Sequence, residues 1–348
     1  MRSRIYLDHN ATAPLRPEAR AAMVAAMDLV GNPSSVHAEG RAAKALVEKA
    51  RDQIIEALGA SQSDLVFTSG ATEAAALALA GRRLHAAEVE HEAVLSWCDP
   101  TLPVDKDGQV TINESAASAL QLANSETGVV QDLPSGLALS DITQAVGRLP
   151  YAHNWSGIGM AILSAHKFGG PKGIGALIVP RGHHVAARQT GGGQEMGRRA
   201  GTENLVAIAG MAAAAQAALR DLADGVWERV AHLRNILEST LEAEDPDTIF
   251  VGRRSRRLPN TSLILTPGWK GETQVMAMDL QGFAVSAGSA CSSGKVRASR
   301  VLRAMGFDEG LSGCALRVSL GPDTTEEEVL RFADAFSAAR RKQRSRAA

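Results

Sequence analysis

Cysteine is scarce in this sequence. Three stand among 348 residues, Cys98, Cys291 and Cys314, too few and too scattered for a disulfide framework or a four-thiolate metal site. No metal is expected, and at least one thiol is available for chemistry. An excess of charge of one sign is lacking too. The 37 Lys and Arg against 38 Asp and Glu leave a net charge of -1, which supplies no electrostatic footprint for nucleic acid. No apolar run approaches the roughly 18 residues that span a bilayer, so no membrane partner is expected. The opening Met1-Arg2-Ser3-Arg4-Ile5-Tyr6-Leu7-Asp8 meets a carboxylate before a signal-peptide apolar region can form, which makes export unexpected and the cytoplasm the expected location.

What is present is material for one large core and a smaller one, with 45% hydrophobic and 22% charged residues and no internal repeat. Apolar positions at helical spacing predict helices over residues 17–29 and 38–58, and Asp64-Leu65-Val66-Phe67-Thr68 reads as a short buried strand. Ser69-Gly70-Ala71-Thr72-Glu73 then opens an Ala-rich helix. Strand, small-residue turn and helix start recur over residues 84–92, and strand-like runs follow at 120–124, 137–141, 160–164 and 174–179. This alternation predicts an α/β sheet, mostly parallel. A long helical stretch over 205–242 precedes strands near 262–265, 284–287 and 316–320, and the last helix begins at a capping box of Thr325 with Glu328. A domain boundary is expected near 244–258, where Pro246 and Arg253-Arg254-Ser255-Arg256-Arg257 interrupt the pattern. The basic end from Arg340 to Arg346 reads as a solvated helix end and frayed tail.

Three segments carry chemistry. The turn Thr68-Ser69-Gly70-Ala71-Thr72, between a strand and a helix, lets backbone N–H groups and the Thr72 hydroxyl converge on an anion, although Ser and Thr are also good helix caps. Lys167 stands just after a buried strand in the glycine-rich loop Phe168-Gly169-Gly170-Pro171-Lys172-Gly173, a setting that suits a partly buried Schiff-base amine. Cys291 lies in Ser286-Ala287-Gly288-Ser289-Ala290-Cys291-Ser292-Ser293-Gly294, whose small residues predict an exposed, movable loop in which a thiolate can act as nucleophile. Cys98 and Cys314 match no such pattern, and Cys314 beside an apolar strand reads as a small core residue.

The run Ser164-Ala165-His166-Lys167-Phe168-Gly169-Gly170-Pro171-Lys172-Gly173 resembles the cofactor-lysine signature of class V aminotransferases, in particular the cysteine desulfurases of iron-sulphur cluster assembly and nitrogen fixation. In the same order, residues 6–14, 31–37, 67–73, 90–94, 124–129 and 141–144 are similar to that family's other motifs, so the resemblance spans nearly the whole chain. It implies pyridoxal 5'-phosphate as cofactor, a type I fold with a mixed seven-stranded sheet in a large α/β domain (15–245), and a small α+β domain made from 1–14 plus 246–348. It implies L-cysteine as substrate, Lys167 as the cofactor lysine and Cys291 as the residue that receives sulfur as a persulfide. His91 would stack on the ring and shuttle protons, Asp141 would pair with the pyridine nitrogen, and Gln144 and Asn124 would bond the phenolic oxygen or the substrate. Ala71, Thr72, Ser164 and His166 would contact the phosphate, and Thr202 would reach the phosphate of a second subunit in a homodimer. Arg317, a charge inside a strand pattern, resembles the residue whose fork holds the substrate carboxylate.

The sequence departs from the family in being trimmed. Nine residues, 132–140, separate Gln131 from Asp141, too few for the helix that the family places there. Segments 81–88 and 97–116 are short as well, with Pro100, Pro103 and Asp107-Gly108 marking loops. The deletions spare every residue given a role above, and they are expected to leave surface uncovered that a partner, such as a sulfur acceptor or scaffold protein, occupies. A selenocysteine lyase or a small class V aminotransferase would share the lysine, and a noncatalytic cofactor-binding assembly subunit would share the fold. Cys291 speaks against a plain aminotransferase, and retention of Lys167, Asp141, His91, Cys291 and Arg317 together speaks against a scaffold.

Overall fold

The computed structural model describes residues 4–288 and 298–347, and of Arg346 and Ala347 the backbone alone. The first part of the chain runs β1 (Ile5–Tyr6), α1 (Pro17–Met27), α2 (Ala38–Ala57), β2 (Ser63–Thr68), α3 (Ala71–Leu79), β3 (Leu84–Ala87), α4 (Glu92–Leu95), β4 (Cys98–Leu102), β5 (Leu139–Asp141), α5 (His153–Ser156), β6 (Met160–Ser164), β7 (Gly175–Pro180) and α6 (Leu205–Ala223). The remainder is α7 (Val226–Glu244), β8 (Ile249–Phe250), β9 (Thr261–Leu265), α8 (Gly271–Leu280), β10 (Phe283–Ala284), β11 (Ser286–Ala287), α9 (Arg300–Ala304), α10 (Glu309–Ser312), β12 (Ala315–Ser319) and α11 (Glu326–Ala347).

The strands β2, β7, β6 and β5 form one ladder in that order, with β7 antiparallel to both neighbours and β5 parallel to β6. Residues 118–122 continue it, bridging in parallel to β5 at Ala119/Leu139 and to β3 at Ser118/His85, and β3 pairs in parallel with β4. The result is a mixed sheet seven strand positions wide. Strand alternation sends Leu65, Phe67, Ala161, Leu163, Ala176 and Ile178 into a core with residues of α1, α2 and α6. Val66, Met160, Ile162, Leu177 and Val179 pack with α3 on the other face. Both faces are therefore covered, which explains why these strands read as near-continuous apolar runs.

At the expected trim, no helix lies between residues 118 and 152. A hairpin closed by the Val104/Val110 bridge lays Val110 and Ile112 on Leu120, Leu137 and Ile158. At these three residues the surface expected to be bare is covered by a short hairpin.

The second core gathers Ile5 and Leu7 with residues of α7, α8 and α11 around the antiparallel sheet β11-β12-β9-β8. The N-terminus belongs to it through the parallel β1–β10 pair and the Asp8/Ser319 bridge. Helix α11 opens on the expected capping box, with Thr325 N–H donating to Glu328 and Glu328 N–H to Thr325 Oγ1, at 3.0 and 3.3 Å. The long helical stretch is broken at Gly225, whose φ of +72° is open to glycine at little cost. Trp227, Val230, Leu233, Leu237 and Leu241 of α7 pack in the second core, so the boundary drawn at 245 falls at the far end of a helix already committed to that core. Helix α6, 19 residues with a mean hydropathy of 1.4, is long and apolar enough to cross a membrane. This corrects the expectation that no run reaches that length. Alanine supplies much of the hydropathy, and the helix packs against α1 and α2 with nine of its residues buried.

Candidate active site

Lys167 ends the 3-10 turn Ala165–Lys167 that follows β6. Backbone bonds from Ala165 N–H to Ile174 O and from Gly170 N–H to Ala165 O fold the glycine-rich loop back on the strand pair. The amine is held: Nζ donates to Asn10 O at 2.7 Å and to Ala11 O at 2.9 Å. It lines a cavity of about 750 Å³ whose walls also carry Ser69, Gly70, Ala71, Thr72, His91, Asp141, Thr143, Gln144, Ser164, His166, Lys172 and Arg317. Residues from β5, β6, α3 and β12 thus converge where the sheet strands end, the usual place for a ligand in an α/β sheet.

At one end of this cavity α3 begins, with no side chain capping its first turn, so N–H groups and the positive helix end face the space beside Lys172, His166 and Ser164. Glycine at 175 allows this approach: a Cβ there would lie 2.5 Å from Leu163 O and 2.6 Å from Gly70 Cα. On another wall stand Asp141, with Oδ1 accepting from Thr143 N–H at 2.9 Å, and the Thr143 hydroxyl, which is buried and has no hydrogen-bond partner among the described residues. His91 caps α4 by accepting from Ala93 N–H at 3.1 Å, and its ring is exposed on the cavity side. The donor set suits a phosphorylated, nitrogen-containing aromatic aldehyde: an anion-binding end, a carboxylate for a ring N–H, an open hydroxyl and an amine.

Charge is distributed unevenly. His166 lies 3.1 Å from Thr12 Oγ1, and burial with the neighbouring Lys167, Lys172 and Arg148 pushes its imidazole down to about 4, so it is neutral at pH 7. Arg317 is buried, pairs with Asp8 at 2.8 Å and donates to Ser125 O at 3.0 Å, while its Nε has no partner among the described residues. Both oxygens of Asp8 are engaged, the second by the Ser286 hydroxyl at 2.8 Å. The fork of Arg317 is therefore already half occupied by a carboxylate of its own chain. Glu126 stands nearby, accepting from Ser299 Oγ at 2.6 Å, and burial raises it to about 7 against the pull of Ser299, Arg317, Arg300 and His91. Arg300 grips the turn that carries His91, donating to Glu88 O, Glu92 Oε2 and Glu90 O at 3.0, 2.7 and 2.9 Å.

Not every expected residue reaches the cavity. Asn124 is engaged in its own turn, its oxygen accepting from Glu126 N–H, Thr127 N–H and Thr127 Oγ1 and its nitrogen donating to Val89 O. A turn-forming asparagine is what that local sequence also supports, and here the turn wins. Gln144 lines the cavity, yet its amide nitrogen donates to Asn10 O and its oxygen accepts from Arg148. Thr202 is exposed and off the cavity wall. Cys291 lies outside the described residues. Cys98 is buried and pushed up to about 12 by burial, Glu90 and Asp99, and Cys314 is buried with its thiol near Gly310 O. Cys98 therefore offers no thiolate at pH 7, and neither thiol lines the cavity.

Sequence reasoning gave no role to Asp8, Asn10, Glu126, Arg148 or Arg300. Asn10 is the centre of the arrangement: its backbone oxygen takes Lys167 and Gln144, and its side chain joins Arg148, Asn260, Thr261 and Ser125. An asparagine between His9 and Ala11, 138 residues before Arg148, carries no local mark of such a hub.

The sequence profile of the family described as Aminotransferase class-V matches residues 5–332. A cysteine desulfurase IscS of Dictyoglomus turgidum is 34% identical, with 94% of this chain and 92% of that protein covered. A cysteine desulfurase of Cereibacter sphaeroides is 38% identical, with 94% of each covered. Among solved structures, a NifS-like protein from Rickettsia africae superposes with a TM-score of 0.86 at 30% identity, covering 96% of this chain and 99% of that one. A structure titled SspA in complex with cysteine superposes at 0.75 with 25% identity, covering 92% of this chain and all of that one at 100%.

Proposed function

The chain belongs to the class V aminotransferase family, and from that membership we propose that it is a pyridoxal-phosphate-dependent cysteine desulfurase, converting L-cysteine to L-alanine and passing on the sulfur. The observation that carries this reading is the convergence of Lys167, Asp141, His91 and Arg317 on one cavity together with an uncapped helix start. Curated relatives of matching length named cysteine desulfurase support it.

Lys167, Asp141, Thr143 and the start of α3 with Ser164 and His166 would hold the cofactor. When bound, its ring supplies an electron sink for charge released at the substrate α-carbon. Arg317 orients the substrate by its carboxylate, using the donors that Asp8 and Ser125 leave open. Lys167, through its amine nitrogen, takes the α-proton, and His91 at the open side moves protons to and from the substrate sulfur side. Cys291 as thiolate attacks the substrate sulfur: the S–S bond forms as the substrate C–S bond breaks with its electron pair left on the β-carbon, and two protons, the one given up by the Cys291 thiol added at the β-carbon and the abstracted one returned at the α-carbon, complete alanine. The product on the protein is a persulfide, which a thiol acceptor, such as a partner in iron-sulphur cluster assembly, collects. In the same reading Thr202, exposed and off its own cavity wall, meets the phosphate of a second copy in a homodimer, and a cytoplasmic setting keeps the thiols reduced.

The test is direct. Protein loaded with pyridoxal phosphate is mixed with L-cysteine and a reductant, and sulfide and alanine are assayed. Equal yields of both are expected, and alanine without sulfide, or neither product, would overturn the reading.

A further inference from the structure

The first turn of α3 carries a charge of the wrong sign for an anion site. Glu73 is the third residue of the helix, and its Oε2 accepts from Ser69 N–H at 2.7 Å. Ser69, Gly70, Ala71 and Thr72 line the cavity at the end that also holds Lys172, whereas Glu73 is not on the cavity wall. An acid at this position ordinarily serves the helix, bonding a backbone N–H ahead of the first turn and facing the positive helix end. Here the same carboxylate also brings a negative charge close to where a phosphate would arrive. Partial burial works to raise its carboxyl, but the bonds from Arg199 and Ser69 outweigh burial and hold it below its ordinary value, so it is ionised at pH 7.

Arg199 meets this charge. Its Nε donates to Glu73 Oε1 at 2.9 Å and its Nη2 to Oε2 at 3.4 Å, and the two side chains are 22% and 24% exposed, so the pair is screened less than one on the open surface. The loop that supplies Arg199 is fastened at several points. Four residues earlier, the buried Glu195 carboxylate accepts from both arms of Arg51 at 2.9 Å and from Phe67 N–H at 2.8 Å. Arg198 pairs with Asp64 at 2.8 Å, and Ala200 N–H donates to Gln189 O at 3.0 Å. Glu195 and Met196 hold φ values of +49° and +57°, a left-handed backbone that non-glycine residues adopt at a cost and that persists where surrounding contacts fix it. The loop is thus anchored on β2 and, through Arg199 and Glu73, at the start of α3, on both sides of the turn that faces the anion.

We propose that Arg199 is a positioning residue for the phosphate end of the site: it neutralises Glu73 from outside the cavity and keeps that carboxylate turned onto Ser69, so that the start of α3 meets a phosphate as a positive end. The inference rests on the function proposed above for the nature of the anion. It assigns Arg199 no contact with cofactor or substrate.

The test measures binding of pyridoxal phosphate, and of pyridoxal, which lacks the phosphate, to wild type, Arg199→Gln, Glu73→Gln and the double variant, by titrating visible absorbance. In Arg199→Gln the carboxylate is left unbalanced, so affinity for pyridoxal phosphate is expected to fall about tenfold or more, with pyridoxal within about twofold of wild type. Adding Glu73→Gln removes the charge along with its partner, and the double variant is expected to return to within about threefold of wild type. Equal losses for both ligands, no recovery in the double variant, or unchanged affinity in Arg199→Gln overturns the proposal. Should Arg199→Gln fail to fold, Glu73→Gln decides: pyridoxal phosphate bound about threefold or more tightly, with pyridoxal unchanged, supports the neutralising role, and equal or weaker binding removes it. Wild type that binds neither ligand would instead defeat the proposed function, and inorganic phosphate then becomes the probe of Arg199. A phosphate-induced rise in the urea midpoint that Arg199→Gln loses and the double variant regains supports the proposal, and any other pattern overturns it.

Discussion

Lys167 is expected to be indispensable for the colour of the holoprotein, because among the described residues no other lysine lies at the end of a buried strand with its amine on the cavity wall between Asn10 and Asp141. Lys167→Ala should lose the visible absorbance after dialysis, and borohydride fixation of cofactor on another lysine would contradict the assignment. Cys291→Ser should bind cofactor and still change spectrum with L-cysteine, yet release no sulfide; full sulfide yield would move the nucleophile elsewhere. For Arg317, truncating one partner of a buried charge pair costs about 2 to 5 kcal/mol, and roughly 1.4 kcal/mol is a factor of ten. Arg317→Ala should therefore weaken apparent L-cysteine affinity at least tenfold, with Arg317→Lys recovering part, as read by spectral titration. Unchanged affinity in the alanine variant would remove it from the site. The residues that touch the cavity were legible because they sit in short motifs with local meaning. Asn10 and Arg148 were not, since their importance comes from contacts 138 residues apart in sequence, between a turn and a segment that look ordinary separately.

Among elements, the strand pair β6–β7 was readable nearly to the residue, since burial on both faces leaves an unbroken apolar run between Gly159 and the glycine loop. The α6–α7 break was not, because helical periodicity continues on both sides of Gly225 and a left-handed glycine leaves no trace in the pattern. The strand expected at 120–124 lies instead at 118–122, and its edges were harder to read because it bonds to β5 and β3 through isolated bridges and not through a long ladder. The element most sensitive to one added atom is the start of β7. Gly175→Ala forces a Cβ against backbone of both β6 and the α3 turn, and overpacking of this kind costs about 1 to 3 kcal/mol. The variant is expected to lose stability in urea and to bind pyridoxal phosphate at least several-fold more weakly, because the helix start that meets the phosphate moves. Gly173→Ala nearby meets no atom within 4 Å and serves as the control for backbone strain alone. Equal cofactor affinity in wild type and Gly175→Ala would show that this approach is not needed.

For the whole molecule, acid stability is a contest between buried groups of opposite sign. His9 and His166, lowered to about 4 from 6.5, bind protons in the unfolded chain before they do in the folded one, so their contribution is lost as pH falls from about 6.5 towards 4. Glu126, raised to about 7 by burial, acts the other way, holding a proton in the folded state where the unfolded carboxyl has lost it. Glu126→Gln should therefore steepen the loss of stability on acidification from about pH 7 to 4.5, by on the order of 1 to 3 kcal/mol in urea midpoints. Identical pH slopes for the variant and wild type would exclude a protonated Glu126. The segment from β1 to Asn10 has a further consequence, in the order of synthesis. Asn10 N–H donates to Ser319 Oγ, 309 residues later in the chain, and Asp8 bridges to the same strand. On a ribosome adding about 5 to 20 residues per second, the N-terminal turn waits roughly 15 to 60 s for its partner strand to emerge. The residue that holds Lys167 is thus made 309 residues before the strand that secures it, so a nascent chain released before β12 would carry the motif lysine without the contacts that fix Asn10 beside it.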